Sequence, residues 1–226
     1  MSEFWDPQPE VVVPGKSSIS APVPAPSDAE ILFDGKDLSQ WESANGGEAQ
    51  WPVVNGILTV DKKLGNIRTK KSYGDFQLHI EWKEPENIAG DGQSRGNSGI
   101  FLQGVYEIQV LDSYNNPTYN AGFAGSIYKQ FPPLVNVTNP PGEWNIFDII
   151  YTAPTFTKNG KYRTSPAVTI IHNGVVIQNH TILLGATVNV GFPRIKKHGN
   201  GPVVLQAHRD KTETNVSYRN IWIREL

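Results

Sequence analysis

The chain has 226 residues, of which 38% are hydrophobic, 10% aromatic and 19% charged, and its formal net charge is −2. This composition permits one large β domain, while the scattered basic residues predict no nucleic-acid partner and no apolar run reaches the roughly 18–20 residues of a membrane span. The absence of cysteine excludes disulfides, thiolate metal sites and a thiol nucleophile.

Residues 1–28 form the first segment and contain six prolines among Ser, Ala, Val and acidic residues. Such a composition is typical of a semi-extended linker. We therefore expect a Pro-rich extension at 1–28, either a tether or a tail without a role, and one domain at 29–226. The chain does not open on a basic segment followed by an apolar stretch, so the protein is either cytosolic or has lost its export signal ahead of this numbering. We expect removal, and a periplasmic or extracellular location, because the chain opens on a tether and not on a folded element.

The remaining chain has the pattern of short strands. Asn55-Gly56 and Asn173-Gly174 each separate two apolar runs, which is the strongest short-range signal of a β-hairpin. Residues 76–82 alternate strictly between apolar and polar side chains. Further strands are predicted at 99–102, 105–111, 144–151, 203–207 and 217–224. No segment has a long helical period, so we predict an all-β fold, a two-sheet antiparallel sandwich.

One predicted strand carries an unusual number of polar side chains. Alternation places Glu107 and Gln109 on one face of the strand, opposite three apolar residues. Asp112 would fall on the apolar side, so we predict a bulge or a strand end between Gln109 and Asp112. The same parity groups Asn97 with Phe101 and Gln103 on the preceding strand.

A second polar face lies near the C-terminus, where Gln206 and His208 alternate with apolar residues. A buried polar group without a partner costs roughly 1–3 kcal/mol, so such rows are not expected to face a core. We interpret both rows as one concave, water-accessible face that binds a partner rich in hydroxyl groups, a carbohydrate.

Ten short motifs occur in a fixed order over residues 29–226. They are L-F-D-G-K-D-L-S-Q-W (32–41), W-x-V-x-x-G (51–56), Y-G-D-F (73–76), E-W (81–82), N-S-G-I (97–100), Y-E-I-Q-V-L-D (106–112), G-S-I-Y (125–128), G-E-W-N (142–145), L-Q-A-H (205–208) and R-N-I-W-I (219–223). On these motifs the chain resembles the 3-keto-disaccharide hydrolase family. The resemblance implies a jelly roll of the concanavalin A-like lectin and glucanase type, and a secreted bacterial enzyme that acts on glycosides oxidised at C3.

A ketone at C3 acidifies the proton on C2, so a base can remove it and the group on C1 can leave by elimination before water adds back. With the resemblance, this chemistry suggests Glu107 and His208 as candidates for the base and Asp112 as the acid. Arg95 or a bound divalent cation would stabilise the enolate, and the sequence leaves the metal ligands open, with Gly90-Asp91-Gly92 as one candidate Ca²⁺ loop. The expected substrate contacts are Arg95, Asn97, Gln109 and Gln206.

Two alternatives remain open from the sequence. The first is a non-catalytic carbohydrate-binding module that uses the same face. The second is an ordinary β-glucan hydrolase. Related jelly rolls with that activity carry the motif Glu-x-Asp-x-x-Glu on one strand, whereas the corresponding sequence here is Glu107-x-Gln109-x-x-Asp112. Retaining hydrolysis needs two carboxyl groups about 5–5.5 Å apart, so this reading requires a second carboxylate near Glu107.

Overall fold

The computed structural model describes residues 22–209, 212 and 215–226, and regular structure in this part of the chain is almost entirely β. The strands are β1 (Glu30–Phe33), β2 (Trp41–Ser43), β3 (Val53–Val54), β4 (Ile57–Thr59), β5 (Ile67–Thr69), β6 (Phe76–Lys83), β7 (Ser98–Leu102), β8 (Tyr106–Val110), β9 (Asn145–Thr152), β10 (Thr155–Phe156), β11 (Tyr162–Thr164), β12 (Ala167–His172), β13 (Val175–Ile182), β14 (Val204–Leu205) and β15 (Ser217–Glu225). Two single 3-10 turns span Gly92–Ser94 and Asn120–Gly122.

The strands form two main antiparallel sheets. The larger has eight strands in the order β13-β12-β9-β6-β15-β4-β3, with β1 also pairing with β15. The smaller has five strands in the order β2-β5-β14-β7-β8, and β10 and β11 form a separate hairpin. The predicted fold class, an all-β jelly-roll sandwich of two antiparallel sheets, is confirmed.

Strand alternation determines which side chains fill the core between the sheets. On β6, alternate positions carry apolar side chains with no exposed surface: Phe76, Leu78, Ile80 and Trp82. The facing positions of the smaller sheet carry Ile100, Leu102, Tyr106, Ile108 and Val110, which are equally buried. The opposite face of β7 and β8 is therefore turned away from the larger sheet, and Glu107 and Gln109 lie on that outer face.

Turn chemistry fixes the hairpins where the sequence predicted them. Asn55 and Gly56 adopt φ of 51° and 77°, and Asn173 and Gly174 adopt 51° and 82°, the left-handed conformations that a two-residue turn between antiparallel strands requires. β8 ends at Val110, so the predicted strand end before Asp112 is confirmed.

The expectation that Gln103 shares a face with Asn97 and Phe101 is wrong. β7 ends at Leu102, and Gln103 with Gly104 forms the turn to β8 with φ of 52° and 68°, which rotates the Gln103 side chain out of the strand alternation. The buried Gln103 amide donates to the carbonyl of Tyr73 at 2.8 Å and accepts from the hydroxyl of Tyr151 at 2.9 Å. Its role is to join the two sheets.

Only the last part of the predicted linker lies within the described residues. There, the carbonyl of Val23 accepts a hydrogen bond of 2.8 Å from the Asn220 side chain, and Asp28 pairs with Arg224, so residues 22–28 contact β15. Within the described ranges, no helix has the length and apolar character needed to cross a bilayer.

Candidate active site

A polar pocket of about 330 Å³ opens on the outer face of the smaller sheet. It is lined by Asn97, Phe101, Glu107, Gln109, Tyr128, Thr187, Asn189, Gln206 and His208. Five of the seven predicted site residues, the two polar rows and Asn97, therefore converge in one hollow. A larger pocket of about 430 Å³ lies elsewhere, lined by residues that include Thr59, Lys63 and Thr212, and contains none of the predicted residues.

Strand register explains the convergence. Phe101 pairs with Glu107 and Gly99 pairs with Gln109 across β7 and β8. On the other side of β7, Val204 pairs with Phe101, and the amide of Gln206 donates to the carbonyl of Gly99 at 2.9 Å. Alternate residues on three neighbouring strands thus share one face, which is how residues a hundred positions apart in the chain line the same pocket.

Gly99 leaves the space in which the Glu107 carboxyl group lies. A Cβ atom at residue 99 would lie 2.5 Å from Oε1 of Glu107 and 3.0 Å from its Cγ. Both atoms belong to a side chain that is itself only 5% exposed, so it has little room to move aside. A glycine at this position therefore gives the carboxyl group its place against the sheet.

Burial governs the charge state of Glu107. Removal from water raises the pKa of its carboxyl group to about 8, while the charge of Lys129 acts in the opposite direction. The Glu107 backbone amide donates to Oγ1 of Thr187 at 2.9 Å. At neutral pH the carboxyl group is consequently protonated and able to donate a proton.

Lys129 was not predicted, and it joins two loops that form the wall of the pocket. The residue adopts a left-handed φ of 57°, and its Nζ donates to the backbone carbonyl of Asn189 and, at 3.0 Å, to the Asn189 side chain. Nζ also lies 5.5 Å from the ring centre of Tyr128 and 5.8 Å from that of Tyr119, whose hydroxyl donates to the Tyr128 hydroxyl at 2.8 Å.

Tyr128, Thr187 and Asn189 were likewise missed, because they come from loops without a strand period. The sequence carried one weak signal, and for Tyr128 alone: G-S-I-Y at 125–128 was among the family motifs.

Gln109 is fully buried and forms the floor of the pocket. Its Nε2 donates to Oε1 of Gln93 at 3.1 Å and to Oδ1 of Asn97 at 3.3 Å. Its own Oε1 is buried and accepts no hydrogen bond from the described residues, and the same holds for Oε1 of Gln206. Two residues that line the pocket therefore each carry a buried carbonyl oxygen with an unused capacity to accept a hydrogen bond.

The structure does not bring Arg95 and Asp112 into the pocket lining. Instead, Nε of Arg95 pairs with Oδ2 of Asp112, while the other carboxylate oxygen accepts from the amide of Tyr114 at 3.0 Å. Asp112 is 1% exposed. The pair lies at the base of the loop that carries Gln93 and Asn97, and it braces that loop.

Among the pocket-lining residues that the structure describes, Glu107 supplies the carboxyl group and no second carboxylate accompanies it. The condition for a retaining β-glucan hydrolase is therefore not met there. No group of three or more His, Asp or Glu side chains able to hold a metal ion is found within residues 22–209, 212 and 215–226.

The fold and the site define a β-sandwich protein of the jelly-roll type with a polar pocket around one buried acid. The comparison with known families identifies the family within this class. The sequence profile of the 3-keto-alpha-glucoside-1,2-lyase-like domain matches residues 28–224. The chain belongs to this family, which confirms the resemblance seen in the sequence. No curated protein sequence matches the chain.

Three crystal structures of candidate glycosyl hydrolases from Parabacteroides distasonis are similar to this protein. One is 61% identical, covers 100% of this chain and 95% of its own, and superposes with a TM-score of 0.96. The other two are 22% identical, cover 88% of this chain and 94% or 99% of their own, and give TM-scores of 0.62 and 0.61. At that lower identity the likeness establishes the fold alone.

Proposed function

We propose that the protein cleaves 3-keto glycosides by elimination across C1 and C2 of the sugar, followed by addition of water. The observation that carries the proposal is the buried Glu107 carboxyl group, protonated at neutral pH, in one pocket with the His208 imidazole. The family, named for a 3-keto-alpha-glucoside 1,2-lyase, and the 61% identical relative, described as a candidate glycosyl hydrolase, both support it.

The chemistry needs a base, an acid and a donor to the enolate. The His208 imidazole takes the proton from C2, and the electron pair of that bond forms the enolate with the C3 carbonyl. The C1–O bond then breaks, the electron pair collapses into a C1–C2 double bond, and the leaving oxygen takes the proton of Glu107. Water finally adds its oxygen to C1 and gives a proton to Glu107, while His208 returns its proton to C2, so both residues regain their starting state and no oxidant or reductant is needed.

Tyr128 is the donor that we assign to the C3 oxygen. Its hydroxyl accepts from Tyr119, so its own proton is available to a ligand in the pocket that the residue lines. Arg95, expected from the sequence in this role, is held by Asp112 instead. Asp112, in turn, is replaced by Glu107 as the acid.

The test uses an aryl 3-keto-α-glucoside and the parent aryl α-glucoside. We expect release of the aryl alcohol from the keto compound alone, with transient ultraviolet absorption of the enone. Cleavage of the parent sugar at a similar rate would refute the keto-dependent mechanism. Binding without cleavage of either compound would instead establish the carbohydrate-binding module.

Deuterium exchange separates the roles of the two catalytic residues. In D₂O, Glu107→Gln should still exchange the C2 proton of the keto substrate but lose release of the aryl alcohol by about 10²–10⁴. His208→Asn should lose both exchange and release. His180→Asn, at an exposed histidine on β13, is the matched control and should behave as wild type.

A further inference from the structure

Three side-chain amides lie in series behind the floor of the pocket. Gln93, in the 3-10 turn before β7, and Asn97, at the end of the same loop, both accept a hydrogen bond from Nε2 of Gln109. Gln93 is not among the residues that line the pocket. Its contact with a ligand is therefore indirect and passes through Gln109.

The orientation of these three amides is fixed by backbone carbonyl groups, which can only accept hydrogen bonds. Nε2 of Gln93 donates to the backbone carbonyl of Gly122 at 3.0 Å, which forces Oε1 of Gln93 to face Gln109. Nδ2 of Asn97 donates to the backbone carbonyl of Gln93 at 2.8 Å, so Oδ1 of Asn97 also faces Gln109. Rotation of the Gln109 amide by half a turn would place its oxygen against two other oxygens.

Oε1 of Gln109, in a residue that lines the pocket, is consequently fixed as an acceptor. The side chain is fully buried and this oxygen accepts no hydrogen bond from the described residues. An unpaired buried acceptor is unfavourable, and a ligand that donates to it removes the penalty. A ligand oxygen or fluorine that can only accept would be repelled at the same place.

We propose that Gln93 is a positioning residue that makes Gln109 an obligate hydrogen-bond acceptor, so that the pocket selects a sugar ring with a free hydroxyl at C4 or C6. This inference rests on the proposed function, because that function identifies the ring as a 3-keto glucoside that loses its C2 proton in the reaction. The ring keeps its C2 hydroxyl, but replacing that group would change the acidity of the reacting C2–H bond, so recognition is tested at the hydroxyl groups on C4 and C6.

The probes are the aryl 3-keto-α-glucoside and its 4-deoxy-4-fluoro and 6-deoxy-6-fluoro analogues. Fluorine is similar in size to hydroxyl but cannot donate, so wild type should lose about tenfold or more in kcat/KM for one analogue. Gln109→Met should abolish this discrimination. Gln93→Met, which leaves Gln109 in place but frees its amide to turn, should reduce the discrimination at least threefold, roughly the effect of weakening one hydrogen bond.

Thr118→Val is the matched control. Oγ1 of Thr118 accepts from the same Nε2 of Gln93 at 3.0 Å, but the Gly122 carbonyl still fixes the amide when this hydroxyl is lost. The hydroxyl-to-fluorine ratio should therefore stay at the wild-type value. An equal change of the ratio in Thr118→Val and Gln93→Met would overturn the positioning role, because it would indicate a general loosening of the loop.

Binding measurements keep this inference separate from the proposed function. The same three compounds are titrated by calorimetry into Glu107→Gln, which binds but does not eliminate. Equal affinities for the hydroxyl compound and both fluoro analogues would overturn the inference even if wild type cleaves the keto sugar. A preserved preference for the hydroxyl compound supports it even if no cleavage is found. If Gln93→Met does not fold, Gln109→Met tests the same quantity, the preference for the hydroxyl compound over its fluoro analogues.

Discussion

Replacement of Glu107 by glutamine should make the protein more stable at alkaline pH while it abolishes activity. The pKa of this carboxyl group is about 8 in the folded protein, against an ordinary value of 4.5. The folded state therefore holds a proton that the unfolded chain releases, and its stability falls as the pH rises from 4.5 to 8. Each unit of pKa difference corresponds to about 1.4 kcal/mol. Through Glu107, the free energy of unfolding of wild type should therefore be about 4 kcal/mol lower at pH 9 than at pH 5.

The assay is urea unfolding of wild type and Glu107→Gln at pH 5, 7 and 9. The difference in unfolding free energy between the two proteins should shift in favour of the variant by about 4 kcal/mol across this range, since glutamine has no proton to lose. A difference between wild type and Glu107→Gln that stays constant with pH would refute the buried-acid reasoning.

Three further variants test the geometry around this acid. Gly99→Ala should lower kcat/KM because its methyl group would overlap the Glu107 carboxyl, yet thermal melting should show a folded protein. The rate of wild type should fall near pH 8, where Glu107 loses its proton. Lys129→Met removes the charge that lowers the pKa of Glu107, so this fall should move to higher pH. Lys129→Arg keeps the charge and should return the fall to its wild-type pH. Asp112→Asn should lower stability by about 2 kcal/mol through its bond to Arg95 while kcat of the folded protein persists, whereas a drop of 10²–10⁴ in kcat would return Asp112 to the catalytic residues.

The strands of the site could be predicted because alternation is a local property. The period of two placed Glu107 with Gln109, and Gln206 with His208, on polar faces without any knowledge of the partner strands. The register that joins these faces follows from the long-range pairing of β14 with β7, which a single sequence does not encode in an obvious pattern. That the two rows belong to one site was inferred from the cost of burying unpaired polar groups, and not from a pairing signal.

The loop residues could not be placed from sequence in the same way. Arg95 and Asp112 have the chemistry of catalytic groups. Neither strand alternation nor a turn motif in the sequence distinguishes a structural ion pair from a pair of catalytic residues. Lys129 and Asn189 carry no strand pattern, since each takes its place through hydrogen bonds between loops 60 residues apart in the chain. The burial of Glu107, which decides its charge, depends on these loops covering β8.

The pocket combines one group that weakens the fold with several that support it. Glu107 is buried at a cost that grows with pH, and a module that only binds sugar would gain nothing by keeping that group in place of glutamine. Around it, the pair of Arg95 and Asp112 anchors the loop that carries Gln93, and the backbone carbonyls of that region direct the Gln109 amide. A destabilising acid held within a rigid polar frame is what proton transfer to a leaving group requires, and this is the physical reason for preferring an enzyme to a lectin.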